Sequence, residues 1–175
     1  MFDESNFSSK KVKPVSLAFD DVKAEIKLLN RRYAAIDVAA LCRHLDSLAG
    51  PKVSETLMNN HERQLGAEDA LKLREINPSI SLDDAIGILI QNEKITGIGV
   101  TQVKLPHTPE EPIHYEIWNP IVASPTGAAR SFILSYWAGA LSILIGKEVD
   151  PTNVTYDPVK NTMECAYSIR HSASM

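Results

Sequence analysis

The stretch SFILSYWAGALSILIG constrains the fold of this chain more than any other. It runs from Ser131 to Gly146, is almost entirely apolar, and lies between Arg130 and Lys147. A helix that is apolar on every side is buried on every side, in a protein core or in a membrane. A membrane-spanning helix needs about 20 such residues, and this stretch is shorter. It therefore predicts a long helix, beginning near Gly127, at the centre of a core, and no membrane span.

Composition restricts the class of protein further. The chain has 175 residues, of which 44% are hydrophobic and 23% charged, as in an ordinary globular protein with one domain. The net charge of -4 gives no electrostatic reason to expect nucleic acid or anionic membranes as partners. Two cysteines, Cys42 and Cys165, are too few for a disulfide framework and are typical of a reducing compartment. The polar N-terminus is not a signal peptide, so we expect a cytoplasmic location.

The first half of the chain predicts helices. Residues 1–14 are polar and are expected to form a disordered tail, followed by a single domain over residues 15–172. Apolar residues at helical spacing, Asp or Ser caps and terminal glycines indicate five helices. These predicted helices cover residues 20–33, 37–49, 51–66, 67–77 and 81–93.

The second half predicts strands on both sides of the apolar helix. TGIGVTQVKL and PIHYEIWNP alternate apolar and polar residues, and a proline-rich loop joins them. NVTYDPVKNTMECAYSIR predicts a second hairpin with its turn at DPVKN, and places Met163, Cys165, Tyr167 and Ile169 on one face. N-terminal helices followed by two antiparallel hairpins that flank a buried helix predict an α+β fold with two layers.

The order of these segments resembles a known family. GALSILIGKEV followed by NVTYDPVKNTMECAYSI is similar to the C-terminal signature of 4-vinyl reductase domains, which share a superfamily with transport-particle (TRAPP) subunits and haem-nitric-oxide-associated domains. RRYAAIDVAALCRHLDSLAG and SLDDAIGILIQNEKITGIGV also resemble that family, so the similarity covers about residues 30 to 170. The resemblance implies a small α+β domain, frequently homodimeric, with a hydrophobic cavity. It also implies apolar or aromatic ligands, acyl chains or tetrapyrrole precursors, bound by a sensory or accessory module.

The central helix supplies the candidate ligand-binding residues. Small side chains recur on one of its faces, with large aromatic and aliphatic ones beside them. Such a face either lets another backbone approach closely or leaves room for a ligand. We expect a pocket here, between the helix and the sheet, with the Trp137 indole among its polar groups. The predicted lining consists of Phe132, Ser135, Tyr136, Ala138, Gly139, Ser142 and Ile143.

Metal and catalytic sites are not expected. Family members that hold zinc place several cysteines around the last hairpin, whereas this chain has only Cys165 there, with His171 as the one close histidine. Structural zinc requires about four nitrogen or sulfur ligands. The sequence shows no GxSxG serine and no histidine–cysteine pair of known spacing. We therefore expect no metal and no cofactor; whether the chain is an enzyme stays open, with a non-catalytic role favoured.

Three functions remain in competition at the level of sequence. The first is a sensor or carrier domain that binds a small hydrophobic, hydrocarbon or acyl ligand. The second is a structural or assembly subunit that acts through a protein partner, and the third is an accessory protein or enzyme of tetrapyrrole metabolism. A homodimer is expected as well, because Glu116 and Trp118 lie on the strand face opposite Ile113, Tyr115 and Ile117. The sequence does not identify the ligand, the partner or the pathway.

Overall fold

The computed structural model describes most of the predicted domain. Its described residues are 18–20, 25–28, 31–33, 38–106, 108, 111–120 and 132–170. The predicted tail and the predicted start of the central helix before residue 132 lie outside them. The elements in chain order are β1 Ala18–Asp20, β2 Glu25–Leu28, β3 Arg31–Tyr33, α1 Val38–Ala49, α2 Pro51–Ile76, α3 Leu82–Thr96, β4 Val100–Lys104, β5 Ile113–Trp118, α4 Phe132–Ile145, β6 Val149–Asp157 and β7 Thr162–Ile169.

The helix predicted over residues 20–33 is wrong. Three short strands occupy this region and form an antiparallel sheet in the order β1-β2-β3. The backbone register puts Phe19 opposite Ile26, and Ile26 opposite Tyr33. Cross-strand rows of aromatic and β-branched residues stabilise sheets. The alternation of Glu25, Ile26, Lys27 and Leu28 is therefore a strand signal that the helical spacing obscured.

The predicted helix break at Gly66 is also wrong. α2 runs without interruption from Pro51 to Ile76 and passes through Gly66. A glycine in a helix interior costs about 1 kcal/mol relative to alanine, so its presence there calls for a packing reason. A Cβ atom at residue 66 would lie 2.0 Å from the carbonyl oxygen of Tyr136 in α4. Gly66 is thus a contact residue within one long helix rather than the end of a shorter one.

A glycine of α4 forms the other side of this contact. A Cβ atom at Gly139 would lie 1.9 Å from the carbonyl oxygen of Arg63 in α2. The two helices therefore approach each other through Gly66 and Gly139, backbone against backbone. We refer to this contact as the glycine crossing. At Gly139, therefore, the small residue allows close packing of another backbone and does not leave space for a ligand.

The other predicted elements are confirmed. Gly50 ends α1 in a left-handed conformation and Pro51 begins α2. Ser81 caps α3, where its Oγ accepts a hydrogen bond from the Asp84 amide at 3.1 Å. The two predicted hairpins, β4–β5 and β6–β7, are antiparallel and join through β5 and β7 into one sheet with the order β4-β5-β7-β6. The α+β fold class is therefore confirmed.

The faces of the four-stranded sheet differ as the alternation predicted. Ile113, Tyr115 and Ile117 of β5 are buried, and so are Met163, Cys165 and Tyr167 of β7. The intervening residues are more exposed, as the burial of β5 alternates along its length. The buried face meets α4, whose Trp137 ring lies 5.7 Å from that of Tyr115. The core of the domain therefore lies between this sheet and the helices.

The glycine crossing generates the first prediction. Gly139→Ala or Gly66→Ala forces a methyl group against a backbone carbonyl, which has no rotamer by which to move away. We expect each to destabilise the fold by roughly 1–3 kcal/mol or more, despite the higher helix propensity of alanine. The control is Gly87→Ala, because a Cβ at this position in α3 meets no atom within 4 Å. Gly87→Ala is expected to be neutral or stabilising; equal effects of all three in urea unfolding would contradict the crossing.

Candidate functional site

A carboxyl group lies at the centre of the core. Glu93 of α3 is 2% exposed and occupies the position four residues after the buried Leu89, on the apolar side of its helix. The indole Nε1 of Trp137 donates a hydrogen bond of 2.6 Å to Glu93 Oε1. The hydroxyl of Thr101 in β4 donates to Glu93 Oε2. Side chains from α3, α4 and β4 therefore converge on one buried acid.

Aromatic rings surround this acid. The ring of Tyr115 lies 5.7 Å from that of Trp137 and 6.1 Å from that of Tyr167, measured between centroids. The Tyr136 and Trp137 rings lie 6.3 Å apart and are nearly perpendicular, at 82°. The Tyr167 hydroxyl donates to the carbonyl of Leu134 at 2.9 Å. Four aromatic residues thus form a continuous set of ring contacts, which we call the aromatic cluster: Tyr115, Tyr136, Trp137 and Tyr167.

A second polar contact extends the cluster toward α2. The Tyr136 hydroxyl donates a hydrogen bond of 2.9 Å to Asp69 Oδ2, and Asp69 is 1% exposed. The Asn92 amide also interacts with the Tyr136 hydroxyl. Asn92 is 6% exposed, and its Oδ1 has no hydrogen-bond partner among the described residues. Because buried polar atoms are nearly always hydrogen-bonded, this oxygen is an acceptor available to a further group.

Burial changes the ionisation of the acid and of the phenols. Desolvation raises the pKa of Glu93 from 4.5 to about 7, although the hydrogen bonds from Thr101 and Trp137 act in the opposite direction. Desolvation also holds the pKa values of Tyr115, Tyr136 and Tyr167 well above their usual range, so these phenols stay neutral. The acid therefore titrates near neutral pH among rings that do not titrate there.

The seven residues predicted to line a pocket in α4 occupy different surroundings. Gly139 meets α2 at the glycine crossing, and Tyr136 belongs to the aromatic cluster. The Ser142 hydroxyl donates to the Ala138 carbonyl at 2.6 Å and accepts from the Val149 amide at 3.0 Å, which connects α4 to β6. Phe132 and Ala138 are buried, whereas Ser135 and Ile143 are half-buried. That these residues contact a ligand stays a prediction.

An open groove lies on the other face of the four-stranded sheet. Its volume is about 520 Å³, and most of its lining residues have polar or charged side chains. The register places Glu116 directly opposite Glu164 and Lys104 opposite His114. The groove is open to solvent and is lined by charges, so it is a poor match for a hydrophobic ligand.

The cysteines do not form a metal site with other residues that the structure describes. Cys42 and Cys165 are both free and buried. Desolvation raises the pKa of Cys165 to about 12, which keeps the thiol protonated. No cluster of three or more histidine, cysteine, aspartate or glutamate side chains suited to a metal ion is found in the described ranges. Within the same ranges, no helix has the length and apolarity needed to cross a membrane.

Sequence reasoning missed most of the polar centre, although one signal was present. Ala85, Leu89 and Glu93 follow one another at intervals of four residues, so the acid continues the apolar stripe of α3. An acid on such a stripe predicts a buried charge that needs partners. Thr101, Tyr115 and Tyr167 were recognised as strand residues, but their convergence on Glu93 depends on the pairing of β4, β5 and β7, which comes from distant parts of the chain.

The α+β architecture is shared with solved structures. No protein-family model matches this sequence, and no curated protein does. Among solved structures, the phenol-responsive sensory domain of the transcription activator PoxR, crystallised with phenol, is similar with a TM-score of 0.67 and 16% identity, over 86% of this chain and 83% of that chain. A vinyl-4-reductase family protein from Methanocaldococcus jannaschii is similar with a TM-score of 0.52 and 15% identity, over 82% and 87%. The predicted resemblance to 4-vinyl reductase domains is confirmed at the level of the fold.

The ionisation of Glu93 generates the second prediction. Its pKa is higher in the folded protein than the ordinary value of 4.5, so the folded state holds the proton more tightly than the unfolded state. The stability that this proton provides is complete below pH 4.5 and is lost as the pH rises to about 7, a change of about 3 kcal/mol. The Glu93→Gln variant cannot ionise at this position, so its free energy of unfolding should not show this decline with rising pH. Urea unfolding of both proteins between pH 4.5 and 8 measures it; parallel pH profiles would contradict the assignment.

Proposed function

We propose that this chain is a non-catalytic domain that senses or carries a small aromatic or otherwise hydrophobic molecule. One observation carries the proposal: a buried carboxyl lies among four aromatic residues, of which Tyr115, Trp137 and Tyr167 pack between α4 and the sheet. The fold supports it, because a solved structure of the same architecture is a phenol-responsive sensory domain. Ligand sites are mostly apolar, with a few placed polar groups, and the aromatic cluster around Glu93 has that composition.

The proposed seat of the ligand is the aromatic cluster and the adjoining part of α4. The rings contact each other, so a ligand must displace at least one of them. That displacement, together with the ordering of the ligand, reduces the affinity that apolar burial provides. Burial contributes about 25 cal/mol per Å² of apolar surface removed from water. Tyr136 is the predicted lining residue nearest to this seat, and we keep Phe132, Ser135, Ala138, Gly139, Ser142 and Ile143 as proposed neighbours.

We also propose that the protein is cytoplasmic and forms a homodimer. Two free, buried cysteines suit a reducing compartment. Val100 and Trp118 are cross-strand partners at the margin of the sheet's outer face, and Val100 is 51% exposed. These two side chains form an apolar spot on an otherwise polar face, where a second copy could bind. A ligand-dependent signal would then pass through the dimer or to a protein partner.

Ligand binding is tested most directly through Trp137. Trp118→Phe removes the only other tryptophan, so the fluorescence of this variant reports on the aromatic cluster. Titration with phenol or 4-methylphenol should change the emission in a saturable way. A ligand at 100 times its Kd stabilises the fold by about 2.7 kcal/mol, which corresponds to a rise in Tm of roughly 5–10 °C.

The controls separate binding from competing functions. Hexanol has a similar size but no ring, and should be the weaker ligand. No change in emission and no rise in Tm with any of these compounds, or with decanoate as an acyl probe, would contradict the proposal and favour the assembly-subunit alternative. Visible absorbance of the purified protein would instead favour the tetrapyrrole alternative.

The dimer is tested by its mass. Light scattering at micromolar concentration should give twice the mass of one chain, since a stable interface buries roughly 1,600 Å² in total. Trp118→Glu places a charge in the apolar spot and should shift the mass toward that of a monomer. Val159→Glu is the matched control, because Val159 is 93% exposed in the turn between β6 and β7. A monomeric parent protein, or equal effects of the two variants, would exclude this interface.

A further inference from the structure

Glu93 is a buried acid with no cation beside it among the residues that the structure describes. Its hydrogen-bond partners are the uncharged side chains of Trp137 and Thr101. The ion pairs among the described residues involve other carboxylates, such as that of Asp150 with Arg63 and Arg170. A second buried carboxyl, that of Asp69, accepts a hydrogen bond from the Tyr136 hydroxyl. A buried carboxylate is costly unless a positive group lies beside it, so the core lacks one element of electrostatic balance.

The surroundings of Glu93 favour a cation of a particular kind. The faces of tyrosine and tryptophan rings carry negative potential, and rings grouped around a site are the usual means of binding organic ammonium ions. The Trp137 ring is nearly perpendicular to that of Tyr136, and the Tyr115 ring is nearly perpendicular to that of Tyr167. These orientations present ring faces in more than one direction. The same rings provide apolar contacts for an aromatic group on the ligand.

Asn92 supplies an independent indication of a donor-bearing ligand. Its Oδ1 is buried and has no partner among the described residues, while the adjacent Glu93 presents two carboxylate oxygens. An ammonium group carries three N–H donors and no acceptor. It therefore has enough donors for the Asn92 oxygen and the Glu93 carboxylate together, whereas a hydroxyl group has only one donor.

We propose that the site between α4 and the sheet binds an arylalkylammonium ion, whose N–H groups donate to Glu93 and Asn92 and whose ring lies in the aromatic cluster. This inference rests on the proposed function and specifies the chemical class of its ligand. The ligand provides the positive charge that the described side chains do not place beside Glu93. The ammonium ion and the Glu93 carboxylate form an ion pair away from water, where charges interact strongly. The free energy of this pair offsets the cost of displacing a ring.

The inference implies a pH dependence that a neutral ligand would not share. The ammonium ion binds the ionised carboxyl, and desolvation holds the pKa of Glu93 at about 7. Below that pH, the ligand must displace the proton, so its affinity falls up to tenfold for each unit of pH. An alkylammonium group, like a lysine side chain with a pKa of about 10.4, stays charged throughout this range.

The experiment compares 2-phenylethylammonium with 2-phenylethanol by calorimetry, using the full chain. The two ligands differ only in the charged group. At pH 8 we expect the parent protein to bind the ammonium ion at least tenfold more tightly, and this preference to decline toward pH 5. Glu93→Gln keeps an acceptor for Trp137 but removes the charge, and should lower the affinity for the ammonium ion on the order of 30-fold or more. Its affinity for the alcohol should stay within about threefold.

Further variants and outcomes keep the test decisive. Asn92→Ala leaves Glu93 in place and serves as the test if Glu93→Gln fails to fold. It should weaken the binding of the ammonium ion severalfold more than the binding of the alcohol. Equal binding of both ligands, tighter binding of the alcohol, or a preference that Glu93→Gln retains would overturn the ammonium ligand and leave a neutral aromatic ligand as the proposed function. If neither compound nor phenol binds, the proposed function fails, and this inference fails with it.

Discussion

The glycine crossing is the contact on which the rest of the domain depends. Gly66 and Gly139 bring the backbones of α2 and α4 together, with hypothetical Cβ atoms at 2.0 Å and 1.9 Å from the opposing carbonyl oxygens. Side chains of any size at these positions would separate the helices. With the helices this close, the Tyr136 hydroxyl reaches Asp69. The orientation of α4 that follows also directs Trp137 toward the sheet, so the geometry of the core begins at two residues without side chains.

The polar centre shows how a hydrophobic core accommodates an acid. Glu93 is almost completely buried, yet both of its oxygens accept hydrogen bonds from side chains on other elements. Such bonds connect α3 to α4 and to β4, and they fix the relative positions of three elements that apolar contacts alone would allow to slide. Burial nevertheless raises the pKa of Glu93 to about 7, because desolvation outweighs the two hydrogen bonds. In proteins, replacing buried charged groups with well-packed apolar residues is often neutral or stabilising.

Local patterns predicted this structure where the physics is local. The apolar stretch, the Ser81 cap and the alternating strands all specify their own conformation, and the α+β class followed from their order. The errors arose where distant residues decide. Gly66 ends no helix because Tyr136, seventy positions later, requires its missing side chain. Residues 25–28 form a strand that pairs with residues 18–20 on one side and residues 31–33 on the other. The partners of Glu93 come from α4 and β4, and their meeting depends on the sheet's register.

The candidate site was only partly predicted, because it too depends on residues that are distant in sequence. The sequence predicted that the candidate residues lie in α4, and two of the residues named there, Tyr136 and Trp137, are members of the aromatic cluster. Small residues, however, satisfy two demands that look alike in sequence: close approach of a backbone and space for a ligand. Gly139 serves the first. The distinction depends on what lies opposite, and that information is carried by α2.

The absence of free space at the crossing makes α4 and α2 mechanically coupled. Tyr136 touches α2 twice, through its carbonyl oxygen at Gly66 and through its hydroxyl at Asp69, and the next residue is Trp137. A shift of α4 toward α2 cannot be absorbed by side-chain rotation at the crossing, because backbone meets backbone there. It must move α2 as a rod of 26 residues, about 39 Å long. A displacement of α4 beside Trp137 would therefore be passed on to the backbone of α2.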